Sequence, residues 1–135
     1  MTATDLKTIL LDALDDERKA EATYAAVIAR FGPVPPFSNI IRAEQRHSAA
    51  LERQLRRLGI PVPPDPWTGK VAAAASLAQA CENAIAGEIE NIALYDRLIP
   101  LIEDSTVRQV LENLQAASRD RHLPAFRRCR ERERR

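Results

Sequence analysis

The stretch FSNIIRAEQRHSAAL (Phe37–Leu51) carries one Glu-x-x-His, Glu44 with His47, inside an otherwise amphipathic run. Residues three apart share one face of a helix, so this carboxylate and this imidazole point the same way. The stripe Phe37, Ile40 or Ile41, Leu51, Leu55 and Leu58 runs along that same face, which makes it the inward one. One helix therefore offers half of a metal site, and the fold is decided by whether other helices offer the rest.

The composition agrees with a helical protein. A chain of 135 residues is long enough for one domain with a real core. Apolar content of 45% with 29% charge excludes wholesale disorder, and four glycines among many Ala, Leu, Glu and Arg favour helix over strand. A net charge of +1 gives no global sign of a nucleic-acid or membrane partner. The opening MTATDLKTILLDALDDE is acidic and amphipathic, unlike a signal peptide, and no apolar run approaches the roughly 20 residues of a spanning helix. Cys81 and Cys129 lack metal-type spacing, so two reduced thiols in a cytoplasmic protein are expected.

Four helices follow from periodicity and stop signals, at about 4–31, 38–58, 69–100 and 105–130 in a single domain spanning 1–135. The first has Thr4 as its expected cap, Gly32-Pro33 as its stop, and the inward stripe Leu10, Leu14, Glu17, Glu21, Tyr24, Ile28. Ser38 is the expected cap of the second, which Gly59 ends. The proline-rich GIPVPPDPWTG that follows is stiff and extended, fit to cover a helix length, with Trp67 anchoring it. The third helix, from near Thr68, turns Leu77, Cys81, Ile85, Glu88, Ile92, Tyr95 and Ile99 inward. The fourth, capped at Asp104-Ser105, shows Leu111, Leu114, Ser118, His122 and Phe126, with Pro124 expected to kink it. Two helix pairs joined by a long middle connection describe an all-α four-helix bundle with a crossover between helices 2 and 3.

An internal repeat places the carboxylates. ERKAEATY (Glu17–Tyr24) and EIENIALY (Glu88–Tyr95) each set a Glu seven residues before a Tyr, two turns along one face. Helix 2 carries Glu44-x-x-His47 and helix 4 carries Arg119-x-x-His122. A di-metal carboxylate bundle needs a Glu from each of two helices and a Glu-x-x-His from each of the others. Burying these carboxylates without a cation is costly, which gives metal binding as their reason.

On these motifs, from DDERKAEATY through FSNIIRAEQRH to SRDRHLPAF, the chain resembles the ferritin-like superfamily in the rubrerythrin-like style. It is closest to a bacterial branch of uncharacterised ferritin-like domains. The resemblance implies Glu17, Glu44, His47, Glu88 and His122 as ligands of iron or manganese, one or two ions. It also implies ferroxidase or peroxidase chemistry at a carboxylate-bridged site. Around them, Glu21, Tyr24, Tyr95, Ser118 and Arg119 are candidates for supporting or substitute roles. Glu21 is more simply a surface charge near Arg18 and Lys19, and both tyrosines are first of all core residues whose hydroxyls need partners.

Arg119 departs from the pattern, standing where the fourth glutamate belongs. Three functions follow: a di-metal oxidoreductase; a mononuclear site on Glu44, His47 and one or two other carboxylates; or a metal-free binding or assembly module in which Arg119 supplies the missing positive charge. No rubredoxin-like four-cysteine module is present, so a redox activity implies an external electron partner. A homodimer is the expected assembly. The arginine-rich tail reads as a solvated helix end, with no nucleic-acid or membrane partner.

Overall fold

The computed structural model describes residues 3–135, and among them it contains helices and no strand. The helices are α1 (Ala3–Phe31), α2 (Phe37–Arg57), α3 (Leu77–Leu98), α4 (Ser105–Ala117) and α5 (Leu123–Glu133). A π turn, Ser118–His122, joins α4 to α5 without a break, so the two form the fourth helix of a four-helix bundle. α1 packs on α2, and α3 packs on α4 and α5.

Cross-helix contacts fix the directions. Glu17 meets Tyr95 and Tyr24 meets Glu88, so α1 and α3 run antiparallel. α2 doubles back on α1 through a turn that Gly32 opens at φ +88°, a conformation that favours glycine. α2 and α3 are then parallel, and residues 58–76 must travel the length of the bundle to join them. That strap follows α1 closely. Arg18 donates to the Pro63 and Pro64 carbonyls at 2.9 and 3.2 Å, Trp67 Nε1 donates to Asp15 at 2.8 Å, and Arg30 donates to Ala75 O at 3.3 Å. Trp67 anchors the crossover as its sequence context suggested, with Lys19 Nζ 5.6 Å from its ring centre.

Several boundaries differ from expectation. α1 begins at Ala3, so Thr4 lies within the helix, and its side chain falls outside the described residues. α2 begins at Phe37 with no side-chain cap, leaving Ser38 inside the first turn. α3 begins at Leu77, not near Thr68. The alanine-rich 72–75 segment has helical propensity, but it is spent as strap along α1, and Ser76 Oγ then caps α3 by accepting the Gln79 N–H at 3.1 Å. Pro100 sits in a 3₁₀ turn, Ile99–Leu101, that closes this helix.

The core divides in two. One cluster centres on Leu10, Leu14, Leu51, Leu55, Tyr95 and Leu111; the other on Tyr24, Phe37, Ile40, Cys81, Ile85 and Phe126. In the second, the Tyr24, Phe37 and Phe126 rings pack edge-on or tilted into a trio with centroids 5.1 to 5.8 Å apart. A polar layer separates the clusters. Cys81 and Cys129 are joined as a disulfide, Cα atoms 5.9 Å apart, which corrects the expectation of two free thiols. Residues in α3 and α5 gave no spacing signal because bundle packing, not sequence proximity, brings them together. The reduced-thiol ground for a cytoplasmic location is thereby lost; what stands is that no helix of the described residues is long and apolar enough to cross a membrane.

Two consequences are measurable. The disulfide closes a separation of 48 residues, so Cys81→Ala/Cys129→Ala should lose about 4 kcal/mol by the chain-entropy relation, read by urea unfolding. Asp104 caps α4 by accepting the Thr106 and Val107 N–H groups and bonds Arg57, and these contacts, led by Val107, hold its carboxyl below the usual range. A lowered folded pKa gives stability that is present above the unfolded value and lost as pH falls through the folded one. Asp104→Ala should thus cost about 1 kcal/mol near neutrality. The gap from the parent should begin to close only once acidification passes the ordinary carboxylate pKa of about 3.9, and close fully at lower pH still.

Candidate metal centre

Each helix contributes to the polar layer: Glu17 from α1, Glu44 and His47 from α2, Glu88 and Asn91 from α3, Ser118 and His122 from the π turn. The inward stripes carry them there, and all are buried, Glu44 completely. Two groups of possible ligand atoms result, Glu17–Glu44–His47 and Glu44–Glu88–His122, the atoms of each lying within 4.8 Å of one another. All five ligands expected from the sequence are therefore brought together. Glu44 is common to both groups.

The layer has an approximate two-fold arrangement. His47 Nδ1 lies 3.3 Å from Glu17 Oε1, and Tyr95 donates to that same oxygen at 3.0 Å. In the matching half, His122 Nδ1 lies 3.1 Å from Glu88 Oε1, to which Tyr24 donates at 3.3 Å. The two imidazoles stack with centroids 5.6 Å apart. Between them, Glu44 Oε2 is 3.8 Å from His47 Nδ1 and Glu44 Oε1 is 3.2 Å from His122 Nδ1. Neither Glu44 oxygen finds a hydrogen bond of good geometry. The seven-residue Glu–Tyr spacing thus serves a swap in which each tyrosine orients the other helix's carboxylate.

The electrostatics follow from burial. Glu44 is pushed well above the ordinary carboxylate range by desolvation, then by the charges of Glu17 and Glu88. Burial would raise Glu17 too, but the adjacent His47 imidazole and the hydrogen bond from Tyr95 bring it below the usual range. Desolvation and the adjacent Glu88 and Glu17 charges keep Tyr24 and Tyr95 protonated, as donors. The cation nearest in sequence, Arg18, turns away to the strap and Glu52.

Arg119 does not enter the layer. Its side chain is 55% exposed and is held by Asp120 at 3.0 Å, which overturns its expected place as core counter-charge. The π turn is the reason. Leu123 N–H donates to Ser118 O, five residues back, and widening the helix this way puts the residue four before His122, not three before it, on the inner face. Ser118 therefore occupies the inward position, where its hydroxyl donates to Asn91 Oδ1 at 2.9 Å. Pro124 follows at the second residue of α5, and the π turn absorbs the missing donor that was expected to make a kink.

Glu21 belongs to neither group. It is half-buried, and desolvation followed by the charges of Asp65 and Glu52 raises its carboxyl. Sequence reasoning missed Asn91, which bridges Ser118 to Asp16 by donating to Asp16 Oδ2 at 2.7 Å. A polar residue one turn after Glu88 on the inward face was the available signal. Asp16, Tyr24, Gly87, Glu88 and Asn91 line a cavity of about 250 Å³ between α1 and α3, so the layer is approached from that face.

No known family model matches the chain, and no curated protein matches it. Among solved structures it is similar to a hypothetical protein from Methanococcus jannaschii DSM 2661, with a TM-score of 0.87 and 22% identity over 98% of this chain and 83% of that one. At that identity the likeness shows a shared fold.

Glu44 offers a direct test of the electrostatic argument in metal-free protein. Its raised folded pKa means its contribution to stability is full below the unfolded value and lost as pH rises through the folded one. Glu44→Gln removes the titration and adds a donor for Glu17 or Glu88. The variant should melt near the parent in mild acid and gain an advantage of about 1–2 kcal/mol as pH is raised. A parent that stayed the more stable across the whole range would contradict the layer's charge balance.

Proposed function

We propose that this chain is a ferritin-like metal-binding protein that holds iron or manganese in the polar layer and handles oxygen or peroxide there. The observation that supports this best is Glu44, completely buried, with neither oxygen hydrogen-bonded and each turned toward a different Glu–His pair. A carboxylate so placed suits the role of a bridge between two ions. Glu17 and His47 would hold one ion, Glu88 and His122 the other. Carboxylate oxygen with neutral imidazole nitrogen is a donor set for iron or manganese.

When bound, such an ion pair supplies Lewis acidity and one-electron redox capacity toward oxygen or peroxide. The chain's own residues set the conditions. Tyr95 and Tyr24 fix the orientation of the Glu17 and Glu88 carboxylates. Ser118, turned to Asn91, leaves the place of a fourth carboxylate without a carboxylate ligand, so an ion there would lack one protein donor. The apolar clusters on either side limit water. With both cysteines in a disulfide, electrons would come from an external partner.

The metal-free module built on Arg119 loses its support, because that guanidinium lies outside the bundle. A single ion on one of the two groups is the remaining alternative. Metal analysis of protein purified without chelator decides between them. Two equivalents of iron or manganese per chain are expected, both lost in Glu44→Ala because that residue serves both groups. One equivalent would establish the mononuclear site. A metal-free protein whose melting temperature ignores added Fe(II) or Mn(II) would end the reading.

A further inference from the structure

Across the bundle from the α1–α3 cavity, a groove of about 530 Å³ lies between α2 and the fourth helix. Arg46 reaches it from one side and Arg121, Arg128 and Arg132 from the other. The sequence builds this deliberately: Arg121, Ala125, Arg128 and Arg132 recur at steps of four, three and four, one helix face. Facing them on α2, Ala43 and Arg46 repeat the alternation. Small and apolar side chains thus share the lining with the guanidiniums.

These four arginines differ from the six that are held in ion pairs. Arg18, Arg56, Arg57, Arg119, Arg130 and Arg134 each pair with an acidic side chain. Among the described residues, none of the four around the groove has an ion-pair partner. The chain as a whole carries only +1, and no carboxylate lines this groove, so the four arginines concentrate positive charge there. Like charges around one concavity repel, and an anion seated there relieves that repulsion and focuses their field. Guanidinium forks match the oxygens of phosphate in particular.

We propose that this groove binds a phosphate-bearing small organic molecule. The volume falls in the range of small-molecule pockets, and Ile40, Ala43 and Ala125 give an apolar surface for the organic part. A nucleic-acid strand is disfavoured, since no Phe, Tyr or Trp lines the groove to stack bases. Binding rests on the arginines alone. One consequence rests on the metal reading as well: His122 lines the groove while its Nδ1 contacts Glu44 and Glu88, so the anion would sit beside the metal pair.

Calorimetric titration of the metal-free protein with phenyl phosphate, in about 150 mM salt, separates the two claims. Saturable binding at one site per chain is expected, tighter than for inorganic phosphate. Arg121→Gln/Arg128→Gln should weaken it by about a hundredfold, while Arg127→Gln, exposed on the same helix outside the groove, should leave it unchanged. All three positions are exposed, and unchanged melting curves verify the fold. No saturable binding, or equal loss in Arg127→Gln, overturns the proposal. Inorganic phosphate binding as tightly overturns its organic part, and tighter, length-dependent binding of a single-stranded oligonucleotide assigns the groove to a polymer instead. Because the protein is metal-free, none of these outcomes depends on whether the polar layer takes iron or manganese.

Discussion

Three carboxylates held at the centre of a helical bundle repel one another and lack water to screen them, and the surrounding architecture answers that constraint. Two imidazoles and two tyrosine hydroxyls are placed against them, each on a different helix from the carboxylate it serves. Both apolar clusters stop at the layer instead of running through it. The central carboxylate, Glu44, is left without a donor of its own. Removing a buried carboxylate's partners is among the more expensive things a fold can do. A bundle that tolerates this at its centre brings together Glu and His groups that could hold a cation.

The layer is nearly symmetric, and the place where symmetry fails is informative. Glu17, His47 and Tyr95 match Glu88, His122 and Tyr24 contact for contact. Glu44 has no such counterpart, because the π turn rotates Arg119 out and Ser118 in. One extra residue per turn changes which side chain stands behind His122 without moving His122 itself. Arg119 at the bundle surface therefore says nothing against the centre, while Ser118, bonded to Asn91, stands where a fourth carboxylate would. The same turn accommodates Pro124, so a backbone necessity and a feature of the site share one device.

Most of the centre was legible because helical periodicity converts spacing into direction. Glu17, Glu44, His47, Glu88 and His122 sit on stripes whose apolar members reach the core, and the Glu–Tyr repeat marked the residues that meet across α1 and α3. The fourth helix was misread at Arg119 because Glu-x-x-His logic assumes about 3.6 residues per turn. The contrary signal was present: Leu114, Ser118, His122 and Phe126 are inward at three successive steps of four, which drift by about 40° each in a regular α-helix. Only a wider turn keeps such a stripe facing one way. The disulfide and the late start of α3 were not legible, since both depend on what packs beside them. Cys81 and Cys129 meet because α3 lies against α5, and the alanines before Ser76 stay extended because α1 holds them.

The charge around the layer is as unequal as its ligands. On the α1–α3 face, Asp16, Glu88 and Glu90 outnumber Lys19 at the cavity, and burial raises the Asp16 carboxyl against the hydrogen bond from Asn91. On the opposite face the groove holds four unpaired arginines and no carboxylate. The acidic approach and the basic one end at the two members of one Glu–His pair, Glu88 on one side and His122 on the other. Those two residues touch at 3.1 Å. A single contact between α3 and the π turn is thus where both faces of the molecule converge, and it belongs to the half of the layer that the π turn made irregular.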